Sequence, residues 1–288
     1  MEDLLRPIYQ ERASASNTLG ILLLEKNKPI SPLTDNFDAI LLVVVHDAEV
    51  PWFVKHYEFQ SGIAALHIVD HEKLHEWIDN SSYRRAVEWI IHGDIIFDRN
   101  EYMVGLKKEL QEFPQGDRDR KLMMEFGKLI RAYLECKDLF QSNQILDSYS
   151  RMIHSLHYLA RLAVIEKGFR PEVTVWNQVK KMDPEIHKLY QELITSQEPP
   201  EKRIQLLLLA TEVAINSRVK TAIRHLKQIM QEKDEPWTFG DLRLHPETQL
   251  YSKDLSAVVE YLVEKDILKV SLKETKGKDI FHRTYLVK

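Results

Sequence analysis

Residues 38–46 read "DAILLVVVH", an aspartate followed by seven uninterrupted apolar residues. An amphipathic helix returns to a polar residue every three or four positions, so a run this short and this uniform suits a strand buried on both faces. A chain containing such a strand must supply covering layers on either side of a sheet. Two further runs, "LGILLLE" (19–25) and "GIAALHIVD" (62–70), have the same character. Between the first two lies "KNKPISPLTDN", a polar loop broken by two prolines. Trp52, Phe53, Tyr57 and Phe59 are expected to pack over the sheet as a covering segment. "HEKLHEWI" then reads as a helix with Asp70 as its N-cap, and "YRRAVEWIIHGDIIFD" follows. Three strands with interposed helices predict a small α+β domain over residues 1–105.

From about Leu106 the pattern turns helical. In "SRMIHSLHYLARLAVIEKG" the apolar positions Met152, Ile153, Leu156, Leu159, Ala160, Ala163 and Val164 follow the i, i+3, i+4 spacing, and Gly168 stands where a helix-ending glycine belongs. Asp183 and Pro184 open another helix as N-cap and first helical residue, and a third follows the prolines of "QEPPEKRIQLLLLATEVA". Residues 106–217 are therefore expected to form a helical bundle. The tail, 218–288, changes again: a helix near Ala222 to Lys233, an irregular stretch, a helix "KDLSAVVEYLVEK" capped by Ser252, and two alternating runs flanking Lys276-Gly277-Lys278. That order resembles a winged helix-turn-helix with Gly277 at the tip of the wing.

A formal charge of −4 exerts no overall pull on nucleic acid or anionic lipid, so either partner has to be met by a local patch. From Arg218 onward the chain carries 14 basic and 11 acidic residues, a balance of +3 that leaves the remainder at −7. The single cysteine, Cys136, excludes an internal disulfide and suits a reducing compartment, so a cytoplasmic location is expected. No apolar run approaches the roughly 18 residues needed to span a bilayer, and the N-terminal stretch mixes acids and bases, so no membrane anchor or export signal is expected.

One short motif is a decoy. "HEKLH" (71–75) matches H-E-x-x-H, in which two histidines one helical turn apart bind zinc and the glutamate activates water. Here Asp70 caps the helix, so His71 falls in an exposed first turn. Lys73 and Glu76 add charge where a zinc helix is usually apolar, and no zinc is expected. "LTDNFDAILLVVV" is better placed, because acids at the mouth of a buried strand can hold the metal ions of phosphoryl transfer. Strand alternation pairs position 38 with 36, which is asparagine, and leaves Asp35 out of phase.

The order helix, strand, loop, acid-led strand, strand, then helical bundle resembles the polymerase-β-type nucleotidyltransferases with an appended helical substrate domain. That resemblance, over roughly the first 215 residues, implies an Asp-x-Asp holding magnesium, a Gly-Ser gripping nucleotide phosphates, and a third acid serving as base. Asn36-Phe37-Asp38 occupies the Asp-x-Asp place. Glu25 to Asn27 occupies the Gly-Ser place with neither glycine nor serine, and Leu66 and His67 stand where the third acid belongs. Candidate catalytic residues are Asp38, with Asn36 or Asp35 as partner, and Asp38 is the candidate metal ligand. Magnesium with a nucleoside triphosphate is the implied cofactor, and a small molecule or a protein the implied acceptor. His154, His157, Arg84, Arg85 and Arg161 are weaker candidates for contacts to anions.

The tail supports a second reading, a non-catalytic regulator whose winged helix binds DNA or a protein partner. Its candidate nucleic-acid contacts are Lys269, Lys273, Lys276, Lys278 and Arg283, all on or beside the wing. The helix after Ser252 exposes both acids and lysines, a poor surface for phosphates.

Overall fold

A computed structural model describes residues 2–26, 31–59 and 62–288. The chain divides into two compact units, one of Met1–Phe113 with Glu172–Thr174, the other of Pro114–Pro171 with Val175–Lys288. Part of the proline-broken loop and Asn27, at the Gly-Ser place, lie outside the described residues.

The first unit is built on strands β1 (Thr18–Glu25), β2 (Ala39–Val45), β3 (Trp52–Phe59), β4 (Gly62–Asp70) and β5 (Asp94–Asp98), in the order β3-β4-β2-β1-β5. Only β2 and β4 run parallel; the other pairs are antiparallel. Every residue of β2 is buried, and strand alternation divides its side chains between two cores. Leu22, Leu24, Ile40, Leu42 and Val44 face Leu74 and Trp77 of α2 (His71–Asn80), Trp89 of α3 (Arg84–His92) and Met103 of α4 (Tyr102–Glu112). On the other face, Ile21, Leu23, Leu41, Val43 and Val45 pack with Leu5 and Tyr9 of α1 (Glu2–Ser14). Each buried Leu, Ile or Val contributes about 1.5–3 kcal/mol, and the two-sided demand of the run is met by helices on both faces.

Two segments depart from the sequence reading. Residues 52–59 form an edge strand paired with β4 instead of a separate cover. Its mixed exposure hides the signal, since one long side of an edge strand meets solvent. Asp94–Asp98 is likewise an edge strand, paired with β1.

The second unit contains α5 (Gln115–Gln141), α6 (Ile145–Glu166), α7 (Val175–Met182), α8 (Pro184–Thr195) and α9 (Pro200–Ala222). α6 ends as predicted: Gly168 has φ +87°, its N–H donates to Ile165 O at 2.9 Å, and Phe169 N–H donates to Val164 O at 3.2 Å. Asp183 caps α8 by accepting from Ile186 N–H at 3.3 Å and also holds Arg218 Nη2 at 2.9 Å. Cys136 is buried on α5, its thiol pushed up by burial, and it shares hydrogen bonds with Ser148 of α6.

The same unit ends in α10 (Arg224–Met230), β6 (Trp237–Thr238), α11 (Phe239–Leu244), a 3-10 turn (Pro246–Tyr251), α12 (Leu255–Glu264), β7 (Leu268–Glu274) and β8 (Phe281–Val287). The three-stranded sheet runs β6-β8-β7 with a β7–β8 hairpin, the topology of a winged helix. α12 begins two residues later than expected: Asp254 is its N-cap, while Ser252 Oγ donates to Gln249 O at 3.0 Å. Asp254 is buried, 2.9 Å from Arg131 Nε of α5. Among the described residues no helix is long and apolar enough to cross a membrane.

Candidate functional site

Asp38 immediately precedes β2, where the end of β1 and the start of β4 converge. Lys26 N–H donates to Asp38 O at 2.8 Å, and Asp38 N–H donates to Ile63 O at 2.9 Å, so the backbone is held from both sides. The side chain is held too: Oδ2 accepts from Ile63 N–H at 3.0 Å and Oδ1 lies 3.9 Å from Lys26 Nζ. Gly62 makes room for it, since a Cβ at that position would come within 2.5 Å of Oδ2. The acid therefore braces the entry of β4 and faces a lysine.

Asp35 goes elsewhere. Its φ of +52° lies in the left-handed region, which aspartate tolerates, and Arg85 Nη1 on α3 sits 2.5 and 2.6 Å from its two oxygens. Arg85 also hydrogen-bonds Tyr83. Trp89 Nε1 donates to Leu33 O at 2.7 Å, so the loop is pinned to α3 at two points. Asn36 is exposed between the two acids. Phe37 turns inward, with its ring 4.6 Å from that of His56.

His67, one of the two residues that the resemblance sets at the third-acid place, stands opposite Leu42 in the middle of β4. Trp52 Nε1 donates to its Nδ1 at 3.2 Å and stacks on it with centroids 6.0 Å apart; Trp89 lies 4.7 Å away. Burial, reinforced by His56, pushes the imidazole down to about 4. At neutral pH it is uncharged, with its proton on Nε2. Trp52, Trp77, Tyr83 and Trp89 form a continuous ring cluster around it. Trp52 remains 40% exposed and Phe53 45%, so aromatic faces reach solvent on the strand that carries them. Sequence reasoning singled out Trp52 and Phe53 only as cover. The missing signal is the pairing of 52–59 with β4, which brings Trp52 over His67.

Among the described residues no cluster of three or more His, Cys, Asp or Glu is arranged to hold a metal ion. In "HEKLH", Asp70 caps α2 by accepting from Glu72 N–H at 2.9 Å and also accepts from Ala48 N–H at 3.0 Å. Burial opposes ionisation of Asp70, but these two bonds hold its carboxyl below the usual range. Lys73 ties to Glu76 at 2.7 Å, and the His71 and His75 rings meet edge-on at 6.5 Å.

On the wing Lys269, Lys273, Lys276, Lys278 and Arg283 are all exposed. The hairpin register places Lys273 opposite His282 and Leu272 opposite Arg283, so Lys273 and Arg283 point to different faces. Arg283 pairs with Glu260 of α12 at 3.1 Å. α12 presents Ser256, Glu260 and Glu264 to solvent, while Val258, Val259, Tyr261 and Leu262 are buried.

A mixed five-stranded sheet with an acid at the mouth of its central strand, a helical unit and a winged helix define a nucleotidyltransferase-like protein. Three family models match in that order: a nucleotidyltransferase-like domain over residues 1–118, a YgxA-like substrate binding domain over 119–218, and a helix-turn-helix domain over 224–287. The chain belongs to the family of the Bacillus subtilis (strain 168) protein YgxA, with which it is 49% identical over 288 residues, covering 100% of this chain and 98% of that one. It is similar throughout to a crystal structure of a nucleotidyltransferase-like protein from Exiguobacterium sibiricum 255-15. The TM-score is 0.83 at 39% identity, over 100% of this chain and 99% of that chain.

Proposed function

We propose that this protein binds a nucleotide or a nucleotide-like ligand on its sheet domain and does not transfer a nucleotidyl group. The observation that carries this reading is the state of Asp38, whose carboxylate is engaged by Ile63 N–H and faced by Lys26. Two-metal phosphoryl transfer needs several carboxylates converging on ions about 3.5–4 Å apart. Here Asp35 is neutralised by Arg85, position 36 is an amide, and the third-acid place holds an uncharged histidine. A magnesium pair does not fit that donor set. The exposed ring of Trp52, 5.3 Å from that of Tyr83, which hydrogen-bonds Arg85, offers a stacking face beside a guanidinium to a planar anionic ligand.

Calorimetry with each nucleoside triphosphate, with magnesium and with a chelator, tests the reading. The expected result is binding that survives chelation, without pyrophosphate release, and weakens at least tenfold in Trp52→Ala. Magnesium-dependent pyrophosphate release, lost in Asp38→Ala, would overturn it and restore the catalytic reading.

The winged helix carries its own expectation, contact with protein in preference to duplex reading. The exposed acids of α12 favour this, because an acidic recognition helix is repelled by phosphates.

A further inference from the structure

Arg161 lies on α6, one turn after His157, with its side chain 12% exposed. Its Nη2 is 2.6 Å from His157 Nε2. A guanidinium only donates, so that ring nitrogen accepts and His157 keeps its proton on Nδ1. The nearest carboxylate, Glu125 of α5, stands 3.9 Å from Nη1, beyond a hydrogen bond, and is closer to Lys128 at 3.0 Å. Arg161 Nε is buried with no hydrogen-bond partner. Among the described residues this desolvated guanidinium has one close acceptor, an imidazole nitrogen, and the carboxylate it faces is also held by Lys128. Burying a cation so weakly compensated is costly, and an incoming anion relieves that cost.

Beside this cation stands an aromatic wall. The Trp176 ring of α7 lies 6.0 Å from His157, stacks on Tyr190 of α8 at 4.0 Å with an interplanar angle of 13°, and meets His187 edge-on at 6.5 Å. Trp176 is only half-buried. Cation and rings come from three helices of one unit, and His157 is in contact with both Arg161 and Trp176.

We infer that Arg161, with His157 and Trp176, forms a site for an oxyanion carried on a planar ring, a phosphate monoester or an aromatic carboxylate. The planar fork of Arg161 suits two oxygens of either group, and Trp176 gives the ring a face to lie against. The site is independent of nucleotide binding on the sheet domain, and it gives chemical content to the substrate-binding name of residues 119–218.

Calorimetry on the full chain with adenosine 5′-monophosphate, ribose 5-phosphate and benzoate tests the inference. The monophosphate is expected to bind at least tenfold more tightly than ribose 5-phosphate, and Trp176→Ala to remove most of that difference. Arg161→Met should weaken the tightest-binding aromatic anion at least tenfold, and Arg161→Lys by less. Whichever of the monophosphate and benzoate binds more tightly identifies the anion. If Arg161→Met does not fold, Arg161→Lys and Trp176→Ala carry the test. Affinity unchanged in Arg161→Lys and Trp176→Ala, or no binding of any probe to the wild type at millimolar concentration, would overturn the inference. A loss that follows Trp52→Ala and spares the Arg161 variants would also overturn it, while leaving the sheet-domain reading intact.

Discussion

Two side chains, Asp38 and His67, are committed to contacts within the sheet domain. Asp38 spends its charge on the architecture: one oxygen holds Ile63 N–H at 3.0 Å, in a space that exists because residue 62 is glycine. Gly62→Val should therefore displace the carboxylate or the start of β4. The expected loss is about 1–3 kcal/mol in a denaturant titration, the cost of breaking a half-buried hydrogen bond to a charged group. His67 makes a pH-dependent contribution whose sign is fixed by its lowered pKa, about 4 against an ordinary 6.5. Between those values the unfolded chain binds a proton that the folded chain does not, so stability present above pH 6.5 is lost as pH falls toward 4. Thermal midpoints of wild type and His67→Gln across that window check this: the wild-type midpoint should fall more steeply, and equal slopes would refute the assignment. The family resemblance sets Leu66 and His67 where a third acid would stand. It did not show the indole that holds its Nδ1.

At the scale of elements, α12 illustrates how a helix named for recognition can be used for packing. Asp254, Tyr261 and Lys265 tie it to its own unit through Arg131 at 2.9 Å, Asn216 at 2.9 Å and Glu212 at 2.8 Å. Asp254 is buried, and burial pushes its carboxyl up despite Arg131. Arg131→Met removes its closest cation and should cost about 1–3 kcal/mol. Asp254→Asn in the same background should recover part of that cost, read as coupling in a double-mutant cycle. Long uniform elements were legible in advance: the apolar periodicity of α6, its terminal glycine and the Asp183 cap are local signals with local physics. Edge strands β3 and β5 were not, because an edge strand half-open to solvent has no clean period and is defined by the strand it pairs with.

Across the whole molecule, charge decides less than its distribution. The net charge is −4, and the tail's basic residues are divided between two wing faces and partly paired, Arg283 with Glu260 at 3.1 Å. Duplex DNA should be retained only weakly and without sequence preference. Its salt dependence should correspond to no more than about three phosphate contacts and vanish when Lys273, Lys276 and Lys278 are changed to glutamate. Tight retention at physiological salt in a gel shift would reverse that expectation. Sequence by itself determined the α+β character, the two-sided burial of β2, the helical middle and the hairpin tail, because each follows from the spacing of apolar residues along the chain. Only the tertiary structure decided that Asp35 turns to Arg85, that Asp38 braces β4, and that His157 meets Trp176. Those are meetings between residues far apart in sequence, and no local pattern encodes which partner a charged side chain finds when the chain closes.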